Sequence, residues 1–587
     1  MTLKASSSPM DGLRELVKLV AQDADGYVMR RLAGVLVLVV IASILTALGP
    51  MLLKFAVDGY RPSVMILLYV AAASLAARMG DFRGWVYARA ERRMFCNFST
   101  RVCMHVLNLP LRFHLDSNAG AVAKAVDYGL QGYQTILHHL VFSILPVATE
   151  LATTIVVLGK FSSRAFLILF LAALVCYAVA HVRGAMVLGA LAEDASAAQT
   201  DAAAAMTDAI LNYELIKNST GEAQIKAEMR QANGRTEREW VRYFSNLAYF
   251  GFRVGGVHTI FFAASGGYAA YQFYKGHMAI GELVLVVTYM LQVQKPVEML
   301  GNAVQGISQG LAMLGKIFAL FREAPEPRSG SRTVSRDTLG ALEFVDVSVS
   351  FGPDKQVLRG VSFKVEPGTR VGIVGASGSG KSTTARVLLR HLEPDKGQIL
   401  YDGVPISEFS LSSLRESIAL VPQDTILLDG SIAYNIAFGH QSCTHLDIVE
   451  AAKLAHLHDW IMTLKDAYAS RVGQRGVKLS GGERQRIAIA RAAIKHARIL
   501  VCDEATSSLD ARTERDILRN LDDLSRSRTT LMIAHRLSTV MDMDQILVLE
   551  GGVIVERGSH HSLLSKDGVY ARLWDAQRAH RVESTAA

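Results

Sequence analysis

From Leu32 to Phe55 the chain reads LAGVLVLVVIASILTALGPMLLKF, an apolar run with one charge, at Lys54. At 1.5 Å per residue such a run crosses the ~30 Å hydrocarbon layer of a bilayer, so the pattern predicts a membrane-spanning helix. Less pure stretches follow at Pro62–Tyr87, Ile136–Gly159, Ala165–Val182, Leu247–Tyr274 and Ile280–Ala303, which brings the expected spans to six. Their connections alternate in length. Spans one and two, three and four, and five and six are joined by the short segments VDGYR, KFSSR and YKGHMAIGE, whereas residues 88–135 and 183–246 separate the pairs. The long connections carry helical patterning and many cations, among them Arg89, Arg92, Arg93, Arg101 and Arg112 in the first and Lys217, Lys226, Arg230, Arg235, Arg238 and Arg242 in the second. The excess of Lys and Arg places them on the cytoplasmic side, and an even number of spans places both termini there too.

These patterns divide the chain. Residues 1–31 make a cytoplasmic or elbow segment, in which DGLRELVKLVAQDADGYVMRR (Asp11–Arg31) fits either a short interfacial helix or a cytosolic tail; no cleavable signal peptide is expected. Residues 32–320 make a six-helix transmembrane domain with long cytoplasmic extensions. Residues 321–340 read as a linker, since FREAPEPRSGSRTVSRD is rich in Pro, Ser and charge and has no apolar period. From 341 to 587 short apolar runs alternate with helical patterns, the signature of an α/β domain.

Composition narrows the function. Of the 587 residues 50% are hydrophobic, which sets the chain apart from a wholly soluble enzyme, and the length exceeds one core. The net charge of +8 is largely juxtamembrane, where anionic headgroups of the lipid bilayer attract it, so no nucleic-acid partner is needed. The five cysteines, Cys96, Cys103, Cys176, Cys443 and Cys502, form no C-x-x-C pair and read as reduced thiols of a cytosolic and membrane protein.

The chemistry sits in the second half. GASGSGKST, Gly375–Thr383, follows the apolar run RVGIVG and fits the phosphate-binding pattern G-x-x-x-x-G-K-[ST]. Gly375, Ser377, Gly378 and Gly380 let backbone N–H groups turn toward phosphate oxygens, Lys381 reaches the β- and γ-phosphates of ATP, and Ser382 and Thr383 open a helix whose positive end faces the anion. The Ser382 hydroxyl is a ligand candidate for Mg²⁺. In RILVCDEATSSLD an apolar strand ends on Asp503, which can hold Mg²⁺ through water, and Glu504, which can polarise the attacking water. Between these lies LSGGERQ, where Ser480, Gly481 and Gly482 precede a helical run and suit a second phosphate contact. Two phosphate cradles in one chain serve a single nucleotide only when two chains face head to tail.

With these motifs in order, the second half resembles the nucleotide-binding domain of an ABC transporter, and LSGGERQ resembles that superfamily's signature. The resemblance implies that Phe351 stacks on adenine, that Gln423 in VPQD senses Mg²⁺, that Asp510 ends the SSLD loop, and that His535 in IAHR touches the γ-phosphate as a catalytic partner of Glu504. The membrane half resembles a type IV exporter half-transporter. LRFHLDSNAG, ILNYELIKNSTGE and GELVLVVTYMLQVQKPVEMLG are similar to the exporters of the mitochondrial iron–sulfur and bacterial heavy-metal tolerance family, the first two holding the coupling helices. The resemblance implies a homodimer in a bacterial inner membrane that exports a small-molecule solute, a glutathione-related thiol or metal–thiol conjugate, by alternating access. A lipid, peptide or siderophore, including import, is the alternative. Where the family has an N-x-x-Q pair and an arginine, this chain has Gly251, Val254 and Gln305, and it has Gln474 in place of a glutamate. Charges and polar groups at membrane depth, Arg253, His258, Lys295 and Glu298, with Met299 and Gln305, are the expected solute contacts.

Overall fold

In a computed structural model the described residues are 9–586, except 118, 293, 328–329, 336, 353–354, 441, 474–475, 477–478, 505–510 and 527. Gln474 and Asp510 therefore lie outside the described residues. The chain divides into two compact units, one of residues 1–109 and 113–325, the other of residues 110–112 and 326–587.

The first unit is helical. An amphipathic helix α1 (Pro9–Asp23) precedes α2 (Gly26–Val57), and Asp25 separates them by accepting hydrogen bonds from the Tyr27 and Val28 N–H groups at the start of α2. The expected spans are cores of much longer helices. Span two is part of α3 (Pro62–Leu107), span four of α7 (Arg164–Leu211) and span five of α9 (Glu222–Tyr274). Their cytoplasmic portions keep helical propensity after hydrophobicity ends, so the long connections are mostly continuous helix interrupted by the short helices α4 (Leu111–Asp116) and α8 (Tyr213–Asn218). Between α3 and α7 run α5 (Ala119–His139), a π-turn at Leu140–Ile144 and α6 (Leu145–Phe161); α10 (Ile280–Gln292) and α11 (Gln294–Arg322) complete the unit. Among the described residues, six helical stretches are long and apolar enough to cross a membrane.

Close backbone approach locks α5 to α11. A Cβ on Gly132 would lie 2.5 Å from the Gly310 carbonyl oxygen, and one on Gly310 would lie 2.9 Å from that of Gly132. Only two facing glycines permit this contact.

The second unit holds two sheets. Strands β1 (Leu342–Ser350), β2 (Gln356–Val365), β4 (Lys396–Tyr401) and β5 (Val404–Pro405) form an antiparallel sheet in the order β2-β1-β4-β5. Strands β3 (Arg370–Val374), β6 (Ile418–Val421), β7 (Ile499–Asp503), β8 (Thr529–Ile533), β9 (Gln545–Glu550) and β10 (Val553–Gly558) form the other, in the order β10-β9-β3-β8-β7-β6. All its pairs are parallel except β9 with β10. Buried on both faces, its inner strands are continuously apolar, and their side chains alternate between two cores. Ile499 and Val501 join Ile373, Leu531 and Ile533 on one side, while Leu500 and Cys502 join Val374 and Met532 on the other.

Candidate functional site

Because β3, β8, β7 and β6 are parallel neighbours, their carboxyl ends reach the same edge, where ligands of such sheets bind. Each strand delivers one part of the predicted site. After β3 comes the glycine loop and then α12 (Lys381–Leu388); after β7, Glu504; after β8, His535; after β6, Gln423. Phe351, Ser377, Gly378, Gly380, Lys381, Ser382, Thr383, Gln423, Glu504 and His535 line one open cleft of 650 Å³.

The loop needs its glycines. Gly380 has φ +104°, and a Cβ there would strike Leu358 Cδ2 at 2.7 Å and the Val357 carbonyl oxygen at 2.9 Å. Gly375 passes so close to β9 that its Cβ would lie 2.1 Å from the Leu549 oxygen. Lys381 is 5% exposed and its Nζ donates to the Gly375 and Ala376 carbonyls at 2.9 and 3.0 Å, closing the loop from inside. Burial lowers its pKa against the pull of Glu504 and Asp503. Ser382 Oγ donates to Asp503 Oδ1 at 3.0 Å. Burial also holds the Asp503 carboxyl above its ordinary range, opposed by the Ser382 hydroxyl and reinforced by Glu504. Gln423 Nε2 donates to Glu504 Oε2 at 2.8 Å. Glu504 itself has φ +46°, a left-handed conformation that is strained for a non-glycine residue, and its N–H donates to the Ile533 carbonyl at 2.9 Å. Just behind it burial pushes the Cys502 thiol up to about 12, which leaves it unreactive.

Ser480, Gly481 and Gly482 are not part of this cleft. Ser480 is the exposed N-cap of the helix Gly481–Ala493, in a capping box in which its Oγ accepts from the Glu483 N–H and Glu483 Oε2 accepts from the Ser480 N–H at 2.7 Å. Lys355 and Val357, which sequence reasoning missed, also line the cleft. Their signal was proximity to Phe351 alone.

In the membrane unit a second cavity of 280 Å³ is lined from α7, α9 and α11. On α9 its lining residues are Leu247, Phe250, Gly251, Val254, Gly255 and His258, and on α11 Gln294, Val297, Glu298, Gly301, Asn302 and Gln305, each set following the i, i+3, i+4, i+7 face of a helix. Glu298 and Gln305 were expected in such a place, as was His258. Arg253, Lys295 and Met299 are not in this lining. Helical phase is the reason, since Arg253, Lys295 and Met299 each lie one residue, about 100° of rotation, off a lining position; all three are exposed, and the Arg253 guanidinium lies 5.8 Å from the Tyr249 ring. Tyr177 and His181 from α7 complete the polar wall, with Tyr177 OH 2.8 Å from His258 Nδ1. Gln305 Nε2 donates to Tyr243 OH. Among the described residues, His181 Nε2 is buried without a hydrogen-bond partner, and no group of three or more His, Cys, Asp or Glu is placed to hold a metal ion.

Known proteins share this arrangement. Residues 358–507 match the ABC transporter family and residues 32–297 match the ABC transporter transmembrane region. The chain is 35% identical over 580 residues to the ATM1-type heavy metal exporter of Novosphingobium aromaticivorans, a match covering 96% of this chain and 95% of that protein. It is 34% identical over 520 residues to the human mitochondrial iron-sulfur clusters transporter ABCB7, covering 88% and 69% of the two chains. A solved structure of a bacterial Atm1-family ABC exporter with ATP bound superimposes with a TM-score of 0.87 at 34% identity, covering 94% of this chain and 99% of that one. Strand-end chemistry, six spans and full-length similarity agree: the chain belongs to the ABC transporter family, as an exporter half-transporter of the Atm1 type that couples ATP hydrolysis to transport across a membrane, with its nucleotide-binding unit in the cytoplasm.

Proposed function

We propose that two copies of this chain in a bacterial inner membrane form a homodimer that exports a small zwitterionic thiol, glutathione-related or a metal–thiol conjugate. The position of Ser480 supports the dimer: the signature serine is exposed at a helix N-terminus and absent from the cleft that holds Lys381. In the dimer each Ser480 faces the γ-phosphate held by the partner's Lys381, so ATP joins the nucleotide-binding units and hydrolysis releases them. Phe351 stacks on the adenine, and the loop amides and Lys381 hold the phosphates. Glu504 orients and deprotonates the attacking water, and His535 contacts the γ-phosphate. Ser382, Asp503 and Gln423 offer only oxygen donors or water-mediated contacts, which suits Mg²⁺, whose charge would neutralise the phosphate oxygens.

For the cargo, the observation that carries most weight is the cavity lined by Glu298, His181, His258, Asn302 and Gln305. A carboxylate opposite imidazoles and amides suits a solute with both an ammonium and a carboxylate. The relatives' names, a heavy metal exporter and an iron–sulfur clusters transporter, point the same way. Inside-out vesicles carrying the purified protein test it. ATP-dependent accumulation of oxidised glutathione or of a mercury–glutathione conjugate, absent from the Glu504→Gln protein, is the expected result. Accumulation of a lipid, peptide or siderophore instead, with no thiol uptake, would overturn the cargo reading.

A further inference from the structure

We propose that the junction of α2 and α3 is a built seat for one anionic phospholipid of the cytoplasmic leaflet, its phosphate held by Arg31 and Arg89 on either side of Trp85. Cations and rings alternate there in a continuous ladder. The Arg89 guanidinium carbon lies 4.6 Å from the Trp85 ring centroid, and that of Arg31 lies 5.9 Å from the same ring and 5.3 Å from Tyr27. On the other side of the ladder Arg93 lies 5.2 Å from Tyr27 and ends on Asp25 at 2.5 Å. Arg93 thus has a carboxylate. Arg31 and Arg89 have none, and among the described residues neither guanidinium donates a hydrogen bond, so their N–H forks are free. Two cations drawn to one ring repel each other, and an anion between them offsets that repulsion. A phosphodiester matches the fork geometry.

Depth selects a lipid over a soluble anion. The α2–α3 turn lies between Val57 and Pro62, and Arg31 and Trp85 lie 26 and 23 residues from its two ends. At 1.5 Å per residue both sit about 35–39 Å from the turn, the level of the opposite headgroup layer in a bilayer ~40–45 Å thick. Trp85 and Phe82, each 52% exposed and stacked 5.5 Å apart, present an apolar surface at this depth, and on α2 Val37, six residues beyond Arg31, is 56% exposed. Headgroup and acyl chain therefore each have a surface of the right polarity at the right depth.

The full-length protein in detergent, titrated with phosphatidylglycerol and observed by native mass spectrometry, tests the seat. Each arginine near an anionic surface is worth about fivefold, so Arg31→Gln with Arg89→Gln should weaken binding of the tightest lipid about thirtyfold, and Arg89→Gln alone about fivefold. Arg230→Gln with Arg238→Gln, on the cytoplasmic part of α9, should leave it unchanged. Phosphatidylcholine should not occupy the seat, and excess inorganic phosphate should not displace the phosphatidylglycerol. Equal occupancy in the double variant and the wild type, or displacement by inorganic phosphate, would overturn the proposal; the second outcome would mark a soluble-anion site.

Discussion

The two cavities of this protein are built by different means. The nucleotide cleft is assembled from the ends of four adjacent parallel strands, and much of its wall is backbone: a glycine loop in which no Cβ fits at Gly375 or Gly380, closed by a buried lysine. The membrane cavity is assembled from the faces of three long helices whose backbone is already satisfied, so it can present only side chains. A backbone cradle suits a ligand that never changes, since its geometry survives most side-chain substitution. A side-chain wall can be rewritten one residue at a time, as at Gly251, Val254 and Gln305 of this lining. A backbone-built site is fixed, and a side-chain-built one is tunable.

Substitutions in each cavity can break this contrast. The largest effect is expected for Glu504→Gln, which keeps an acceptor for the Gln423 amide but removes the base. Steady-state ATPase should fall about 10²–10⁴-fold while ATP binding stays near wild type. Turnover near the wild-type rate would place the base elsewhere. Lys381→Ala should come next, weakening ATP in an equilibrium titration by about 10–150-fold, the equivalent of roughly 1.5–3 kcal/mol for charge-assisted hydrogen bonds. In the membrane cavity Glu298→Gln should raise the concentration of thiol needed to half-stimulate ATPase about tenfold, ~1.4 kcal/mol, and leave the basal rate alone. Arg253→Gln with Lys295→Gln, off the lining face, should move that concentration less; the reverse order would mean that the cargo sits on a different face of α9 and α11.

The smallest effect concerns stability. Burial raises the Asp503 carboxyl, so the folded protein holds that proton more readily than the unfolded chain does. The contribution favours folding at low pH and is lost as pH rises through the folded value. Asp503→Asn, neutral at every pH, should therefore raise the melting midpoint of the nucleotide-free protein by a few degrees at most near neutrality, and the gain should shrink on acidification. A gain that grows on acidification would contradict a carboxyl raised by burial. The variant's ATPase should nonetheless be lost.

What could be read from sequence follows the same division. Gly375 to Thr383, Asp503 and Glu504 were legible because strand-then-loop spacing fixes their positions locally and the strands themselves read as apolar runs, whereas His535 came from the family resemblance. The spans were legible as hydrophobic lengths, but their true extents were not: α3, α7 and α9 continue past the bilayer on helix propensity, which hydropathy does not register. Arg253 and Lys295 were singled out by charge, and rotation about the helix axis places them off the lining of this cavity. A period of 3.6 drawn through Gly251, Val254 and His258 would have excluded Arg253. Tyr177 and His181 come from α7, and only tertiary packing brings them to α9 and α11.

The capping box at Ser480 has a kinetic consequence. Its oxygen accepts from the helix it begins, which leaves the hydroxyl proton as the group directed at an approaching phosphate, and Glu483 already holds the Ser480 N–H. The helix end is complete before any second copy arrives. In the proposed dimer, the Ser480 end of this helix would need no ordering when the partner's cleft closes on it, so closure would not wait on the formation of this cap.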